Sequence, residues 1–424
     1  MFNPKSFFRN KLSLNFIYIS LSQIVNYVFP LLTFPYLVKV LGLNGFGLYT
    51  FATSFVGYFQ LIVDYGFNII GIKKIAEGKK TTRVNTEVYS SIFFTRMILM
   101  LICFILFLTI VLLFSEFRKE FYLYIFSFCT IFTQILIPFW FYQAVEEMKF
   151  ISIINTISKI ISTVLIFFLV KSPDDVEIIP LLYTFSTIVV GVLSYKIIKS
   201  KFHVVIDFRY LNIRNIRKYL IDGWHFFVSN ISISLYTNTL IFALGLFGTK
   251  EQVAYFSIPN KIVGILRMAF EPITQTLFPH FSNLLVSGEL KLLKAKIKKV
   301  FIAGLIAISG VCIIIFVLSP FILKYLFNVS ALESINNLRL QIWLPVILWF
   351  HVIFGYFYIV LQKMNKLYSK IILWSSVISI PISFYFINTY KDLGATITLL
   401  LVEIGIGLIY VYYYLKTKKT VYGE

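Results

Sequence analysis

The chain contains about twelve apolar stretches of roughly 20 residues, separated by charged or turn-forming residues. A helix of that length crosses the ~30 Å hydrocarbon core of a bilayer at 1.5 Å per residue. We place the spans near residues 12–38, 46–70, 88–114, 121–143, 150–170, 177–198, 220–247, 252–277, 298–319, 340–361, 367–388 and 393–415. The pattern predicts an all-α polytopic membrane protein.

Composition agrees with lipid as the solvent. Hydrophobic residues make up 58% of the chain and charged residues only 14%, far from the balance of a soluble domain. The three cysteines lie in apolar runs without disulfide or metal-ligand spacing, so we interpret them as packing residues. The basic N-terminus leads into a long helical pattern rather than a cleavage site, and no cleaved signal is expected.

Lysines and arginines collect in alternate gaps between the spans. The basic gaps include residues 73–83, 196–218, 291–299, 363–370 and 416–419. Because cytoplasmic loops are enriched in these residues, both termini are predicted to lie in the cytoplasm. The same bias explains the net charge of +20, so a nucleic-acid partner is not needed to account for it.

The widest basic gap divides the spans into two groups of six. We therefore predict an N-terminal six-helix lobe at 1–198, a cytoplasmic basic connector at 199–219 and a C-terminal six-helix lobe at 220–424. Two six-span halves have the same orientation and fit parallel repeats. Residues 290–300 alternate lysines with an apolar helical face and are predicted to lie along the inner leaflet, or else to form a solvated connector.

Four cations, Arg96, Lys159, Lys261 and Arg267, interrupt the apolar runs. Each charge at a helix centre disfavours insertion by roughly 2.5 to 3.5 kcal/mol, so such residues normally face a wet interior. The alternative is that some of them reach the interface by snorkelling. The placement predicts a transporter with a cationic lumen that binds substrate through these four side chains.

Polar residues recur at helical spacing in several spans. We expect five asparagines to line the cavity: Asn26, Asn155, Asn230, Asn238 and Asn260. Such stripes can equally hold helices together, through hydrogen bonds worth about 0.6 kcal/mol each.

Three carboxylates share the spans with the four cations, namely Asp64, Glu271 and Glu403. At least one cation therefore lacks an acidic partner, and an anionic substrate group such as a pyrophosphate or acidic glycan would supply it. The three acids are candidates for binding a coupling ion. An alternative for Arg267 and Glu271, four residues apart, is that they neutralise each other.

Four short segments resemble those of a known family. Residues 29–49 (FPLLTFPYLVKVLGLNGFGLY), 63–68 (VDYGFN), 234–239 (SLYTNT) and 278–282 (FPHFS) resemble segments of bacterial polysaccharide flippases of the Wzx type. Together with the span pattern, the resemblance covers nearly the whole chain. It implies membership of the multidrug, oligosaccharidyl-lipid and polysaccharide exporter (MOP) superfamily.

The resemblance implies a MATE-like fold, in which two six-helix lobes surround a central cavity. The implied activity moves undecaprenyl-pyrophosphate-linked oligosaccharide across the bacterial inner membrane for O-antigen or capsule assembly. It implies no cofactor beyond a proton or sodium gradient. The implied partners are the lipid-linked substrate, membrane lipids, a polysaccharide polymerase and a chain-length regulator.

Other functions fit the sequence less well. A multidrug antiporter on the same fold usually handles cations, which a positive cavity disfavours. A major-facilitator transporter would carry a glycine-aspartate-arginine signature after its second span, and the loop here reads IKKIAEGKK. A membrane enzyme needs paired carboxylates or metal ligands, and the four histidines are scattered, so no enzyme activity is expected. A structural scaffold would leave the midplane charges unexplained.

Overall fold

The computed structural model describes residues 11–78, 81–268 and 270–422, which form α-helices with short connections. In the described residues of the first half there are nine α-helices: α1 Lys11–Asp64, α2 Phe67–Glu77, α3 Thr82–Leu113, α4 Ser115–Lys119, α5 Phe121–Cys129, α6 Phe132–Leu136, α7 Phe139–Ala144, α8 Met148–Leu169 and α9 Ile178–Phe202. Short 3-10 turns lie at Pro173–Glu177 and Phe208–Tyr210. The all-α prediction is confirmed.

The second half continues the helical pattern. Its α-helices are α10 Ile213–Phe247, α11 Lys250–Met268, α12 Phe270–Val286, α13 Leu290–Phe321, α14 Leu332–Gln341, α15 Leu344–Phe350 and α16 Asn365–Tyr422. π-Helical turns extend α13 through Ile322–Leu326 and α15 through His351–Val360. π-Helical segments are rare and frequently occur at functional sites.

Seven helical stretches of the described residues are long and apolar enough to cross a membrane. Two of them, Ile17–Glu77 and Asn365–Thr417, contain 61 and 53 residues, far more than a bilayer needs at 1.5 Å per residue. The first is interrupted near its middle at Gly42 (φ 66°) and again at Tyr65 and Gly66 (φ 46° and 79°), and the second at Lys391 (φ 53°). Counting these two stretches as double crossings, the seven account for nine of the predicted spans.

The three remaining predicted spans are helical but less regular or less apolar. Residues 121–143 are divided among α5, α6 and α7, and Pro138, which has no N–H to donate, precedes α7. Residues 220–247 lie in α10, and residues 252–277 lie in α11 and α12. Both of these regions carry more polar residues than the seven apolar stretches.

Helix α13 shows which surface meets lipid. The segment predicted to lie along the inner leaflet, 290–300, is helical and continues without a break into the rest of α13, since it contains no glycine or proline to end the helix. Further along, Ile306 and Val317 expose 69% and 61% of their surface. A row of such exposed aliphatic side chains is stable where acyl chains replace water.

The chain divides into two compact units. The first unit comprises the residues up to Gly45 together with Ala52–Ile231. The second unit comprises Phe46–Phe51 together with the residues from Ser232 onward. In the first unit Phe67, Trp140 and Phe141 are buried in an aromatic core. In the second, Trp349 is buried beside Phe270 and donates its indole N–H to the Phe301 carbonyl at 3.0 Å.

The predicted connector, residues 199–219, contains the end of α9, an irregular segment, a 3-10 turn and the first turns of α10. At the turn, Asp207 accepts hydrogen bonds from the Arg209 side chain and backbone N–H. The hydrogen bonds from the Arg209 side chain, and after them the one from its backbone N–H, hold the pKa of the Asp207 carboxyl below its usual value. The turn is therefore fixed by its own residues.

Candidate functional site

A buried ion pair joins α1 to α3 in the first unit. The Arg96 guanidinium is 2% exposed and donates to the Asp64 carboxylate at 2.7 Å and to Asn68 Oδ1 at 3.1 Å. Asn68 in turn donates to Asp64 at 3.0 Å, and the guanidinium lies 5.7 Å from the Phe67 ring centroid. A predicted substrate cation and a predicted ion-coupling acid thus bind each other, so a ligand for either must compete with its partner.

A left-handed glycine makes this arrangement possible. Gly66, between α1 and α2, has φ 79°, and a Cβ added there would lie 2.6 Å from Cβ of Phe226. The close approach lets Tyr65 stack on Phe227 with ring centroids 4.5 Å apart. The glycine therefore brings Asn68 around to Asp64 while α10 packs against the turn.

Polar side chains of α1 and α8 meet in the same unit. Asn155, which is buried, donates to Ser22 Oγ at 2.9 Å and to Asn26 Oδ1 at 3.0 Å. Two of the predicted cavity asparagines therefore link helices to each other. One turn after Asn155, half-buried Lys159 has no ion pair with any carboxylate in the part of the chain that the structure describes.

Lys261 is held by aromatic rings in the second unit. Its ammonium lies 4.8 Å from the Phe46 ring centroid and 5.9 Å from that of Tyr49. Attraction of this kind contributes about 0.5 to 1 kcal/mol at exposed sites and more when desolvated. Gly47 lets α1 approach the start of α11 closely, because a Cβ at this position would collide with the Lys250 carbonyl. Neighbouring Asn260 is half-buried.

A recess of about 390 Å³ opens within the second unit. Helices α11, α12, α15 with its π turn, and α16 supply its walls. The lining comprises Arg267, Phe270, Glu271, Thr274, Leu348, His351, Val352, Tyr356, Tyr368, Ile372, Glu403, Ile406 and Tyr410. It brings together three of the predicted site residues, Arg267, Glu271 and Glu403, with a histidine and three tyrosines that sequence reasoning did not select.

His351 and Glu403 form the buried end of this recess. Nδ1 of His351 lies 3.4 Å from the Glu403 carboxylate, and Nε2 lies 2.8 Å from the Glu403 backbone oxygen. Glu403 is 1% exposed, and the Tyr410 ring packs edge-on against the imidazole. Gly407, one turn after Glu403, leaves room for the ring, since a Cβ there would meet Nε2 at 3.3 Å. The arrangement suits a carboxylate that exchanges a proton or cation.

Arg267 and Glu271 do not neutralise each other. They make no ion pair within the described residues, and the Glu271 carboxylate instead accepts from Gln275 at 3.1 Å. Both side chains line the recess and both are accessible. Arg267 therefore offers an uncommitted guanidinium to an anion in the recess.

Two predicted cavity residues belong neither to the polar contact between α1 and α8 nor to the recess of the second unit. Asn230 and Asn238 lie in α10, one at the end of the first unit and one in the second, and both are half-buried. No group of three or more His, Cys, Asp or Glu side chains able to hold a metal ion occurs in the described ranges.

The fold is similar to that of solved transporters. A multidrug resistance MATE family transporter of the MOP superfamily, in its inward-facing conformation, superposes with a TM-score of 0.72 at 15% identity, covering 96% of this chain and 98% of that one. Lipid II flippase MurJ, in an inward closed conformation, gives 0.71 at 16% identity, covering 95% and 87%. At these identities the likeness concerns the fold.

Sequence relatives are more specific. Two curated proteins named "Putative O-antigen transporter", from Escherichia coli (strain K12) and Shigella dysenteriae, are 29% and 28% identical to the chain. The matches cover 93% and 90% of this chain and 95% of each relative. A family model described as polysaccharide biosynthesis protein matches residues 12–285.

The helices and the fold together define a polytopic helical membrane protein, with the MATE-like fold that the resemblance predicted. Because the family model covers more than half of its length, the chain belongs to the polysaccharide biosynthesis protein family. The resemblance to polysaccharide flippases noted in the sequence is thereby confirmed.

Proposed function

We propose that the protein is a flippase that moves undecaprenyl-pyrophosphate-linked oligosaccharide repeat units across the membrane for O-antigen or capsule assembly. Its family, its relatives named as O-antigen transporters and its fold likeness to a lipid II flippase support the proposal. The same relatives, named as transporters, support a transport role for this chain.

The observation that carries the proposal is the pair of uncommitted cations, Lys159 in the first unit and Arg267 in the second. Neither has a carboxylate within ion-pair distance in the described ranges, although Lys159 lies in a stretch apolar enough to cross a membrane and Arg267 lines the recess. An anionic group on the cargo would neutralise them. Arginine binds phosphate oxygens in a bidentate manner and lysine acts as a mobile point charge, so a phosphate group suits either side chain.

The mechanism we propose is alternating access, in which a cationic lumen containing Arg96, Lys159, Lys261 and Arg267 faces first the cytoplasm and then the periplasm. The glycan and pyrophosphate travel in the lumen. The polyprenyl tail stays in lipid, because withdrawing it costs about 0.8 kcal/mol per CH₂. A proton or sodium gradient drives the cycle through Asp64, Glu271 or Glu403.

We place the protein in the bacterial inner membrane with both termini in the cytoplasm, because basic residues collect in the gaps on that side. There it would receive its substrate from the cytoplasmic leaflet. A polysaccharide polymerase and a chain-length regulator would act on the product at the other face.

The test is complementation of a bacterial strain that lacks its own O-antigen transporter. Lys159→Ala and Arg267→Ala are expected to lower surface polysaccharide at least tenfold and to accumulate lipid-linked repeat units on the cytoplasmic side. The matched control is Lys370→Ala, which removes an exposed lysine from the start of α16. Protein levels in the membrane are measured for each variant. Full polysaccharide production by both lumen variants would overturn the cargo assignment.

A multidrug or organic-ion antiporter is the second candidate, because the MATE transporter shares the fold. The same strains separate the two functions. Expression that restores polysaccharide without changing drug susceptibility supports the flippase. Drug resistance that depends on Arg267, without polysaccharide, would favour the antiporter.

A further inference from the structure

A second cavity, which we name the α13 cavity, opens beside the first turns of α13. It has a volume of about 240 Å³ and lies within the second unit. Its walls come from α13, the π-helical turn that follows α15, and the end of α16. Among the described residues, those that line it include none that lines the recess of Arg267 and Glu403. The α13 cavity is therefore distinct from the site proposed for the cargo.

The inner part of the α13 cavity is aromatic and rigid. Phe301 packs edge-on against Phe354 with ring centroids 5.8 Å apart, and Phe354 lies 5.1 Å from Tyr414. Tyr414 in turn packs edge-on against Tyr358 at 4.9 Å. Ile353, which also lines the cavity, is buried. Because the rings are held by one another, they form a fixed apolar surface against which a hydrocarbon chain can pack.

The outer part of the α13 cavity carries positive charge. Lys294 and Lys298 lie one turn apart on α13 and both line the cavity, Lys294 half-buried and Lys298 exposed. None of the described lining residues is acidic, and Lys298 makes no ion pair in the part of the chain that the structure describes. The Tyr358 hydroxyl shares a hydrogen bond of 2.8 Å with Thr417. The two ammonium groups therefore attract an anion to the mouth of the cavity.

Charge and rings are separated along the helix axis. Phe301 follows Lys294 by seven residues, which places it about 10 Å deeper at 1.5 Å per residue. The cavity thus has a charged mouth and an apolar interior. A membrane lipid has its chemical groups in the same order, an anionic head followed by a hydrocarbon chain. Free phosphate would leave the aromatic interior without a partner.

The mouth of the cavity belongs to a basic end of three helical segments. The first turns of α13 contain the basic gap 291–299, the π-helical turn precedes the gap 363–370, and the last turns of α16 contain the gap 416–419. In the orientation proposed above, these gaps face the cytoplasm. The cytoplasmic leaflet carries anionic lipids, and basic pockets between membrane helices on that side bind their headgroups. The mouth therefore faces the phosphate groups of that leaflet.

The headgroup, and not the tail, selects the occupant. Lipid tails are as apolar as the cavity, so a tail gains little by moving there from the surrounding bilayer. Lys294 and Lys298 attract a phosphate and repel a headgroup that carries its own amine. Lysine acts as a mobile point charge, so two of them on one helical turn suit a single phosphodiester. An anionic phospholipid has this headgroup and reaches the cavity directly from the bilayer.

We propose that the α13 cavity binds one anionic phospholipid of the cytoplasmic leaflet. Its phosphate lies between Lys294 and Lys298, and one acyl chain lies along Phe301 and Phe354. The lipid contacts α13, the π-helical turn and α16 together, and so stabilises the second unit. Binding needs neither cargo nor transport. A failed lipid experiment would leave the proposed flippase standing, and a failed complementation would leave the lipid site standing.

The experiment is native mass spectrometry of the purified full chain in detergent. The probe is dioleoylphosphatidylglycerol, and dioleoylphosphatidylcholine, which has the same chains, is the comparison. We expect one phosphatidylglycerol to bind at least tenfold more tightly than phosphatidylcholine. It should also raise the Tm by about 2 °C or more relative to phosphatidylcholine, since a ligand that binds only the folded state stabilises it. The double variant Lys294→Gln with Lys298→Gln should lower the affinity at least tenfold and remove the difference in Tm.

The matched control is the double variant Lys291→Gln with Lys299→Gln, which removes two exposed lysines of the same helix that do not line the cavity. It should bind phosphatidylglycerol as the parent does. If the variant of the two lining lysines fails to fold, Lys298→Gln alone takes its place, because that side chain is exposed, and should weaken binding at least threefold.

Three results would overturn the proposal. Equal loss of binding in the two double variants would show a general attraction between lipid and the basic surface. Equal affinity for phosphatidylglycerol and phosphatidylcholine would show that the lysines select no headgroup. Undecaprenyl phosphate that binds the parent at least tenfold more tightly than phosphatidylglycerol, or inorganic phosphate that alone gives the same rise in Tm, would assign the cavity to another ligand.

Discussion

The Arg96 guanidinium donates to the Asp64 carboxylate at 2.7 Å, across 32 residues of sequence and between two membrane-spanning helices. Asn68 contacts both groups and completes the arrangement. The contact removes most of the net charge from this part of the first unit. Because Arg96 occupies the Asp64 carboxylate, a proton or cation that binds Asp64 must displace the Arg96 guanidinium.

A double-mutant cycle tests how strongly this pair holds the unit together. Arg96→Met or Asp64→Leu alone should destabilise the protein by about 3 kcal/mol, because each leaves a buried charge without its partner. The double variant should be nearly as stable as the parent. Thermal unfolding of the purified protein in detergent measures all four species. Strictly additive losses would show that the two groups do not interact.

The three intramembrane acids are expected to carry ion coupling together. Combining Asp64→Asn, Glu271→Gln and Glu403→Gln should abolish any pH or sodium dependence of transport, because no titratable carboxylate of the proposed coupling set remains. Uptake of lipid-linked oligosaccharide into inverted vesicles, measured under imposed proton or sodium gradients, reports the coupling. The single variants then identify which acid acts. Unchanged coupling in the triple variant would refute the assignment.

Gly66→Ala should destabilise the first unit. Alanine is strained at φ 79°, and its Cβ would lie 2.6 Å from Cβ of Phe226, so about 1 to 3 kcal/mol is expected to be lost. Gly310→Ala is the matched control, because α13 leaves open space around Gly310 and alanine favours helix there. Thermal unfolding of both variants in detergent gives the comparison. Equal stability of the two would contradict the close packing at Gly66.

Helix α13 permits a test of depth in the bilayer. Ile306→Lys places a charge on an exposed apolar face well inside the helix and should disfavour insertion by about 2.5 to 3.5 kcal/mol. Leu292→Lys adds the same charge near the start of the helix, among existing lysines, and should be tolerated. Membrane yield of the two variants is the measurement. Similar yields would indicate that Ile306 does not face lipid.

The sequence predicted the helices, the fold class and the family, because hydrophobic length and local motifs are written along the chain. It also placed Arg96, Asp64, Arg267 and Glu403 in polar positions. Their partners could not be predicted, since Arg96 and Asp64 come from different helices and His351 lies 52 residues from Glu403. Periodicity defines the face of a helix but not the helix that covers it.

Two features escaped sequence reasoning for another physical reason. Asp392 follows Lys391 in a short gap between two apolar runs, where a charged residue ordinarily faces water. The structure buries it because Lys391 takes an unusual backbone conformation and turns the chain inward. His351 likewise begins a π-helical turn, and the apolar residues around it contain no pattern that predicts such a turn.

The outward aliphatic face of α13 affects how well sequence identity reports common ancestry among such proteins. Fluid hydrocarbon makes no demand on side-chain shape, so isoleucine, valine, leucine and phenylalanine can replace one another there with little penalty. Substitutions should accumulate fastest on that surface and slowest around the glycines and buried charges. Pairwise identity summed over the whole length therefore understates common ancestry, and alignments weighted toward the interior would recover it.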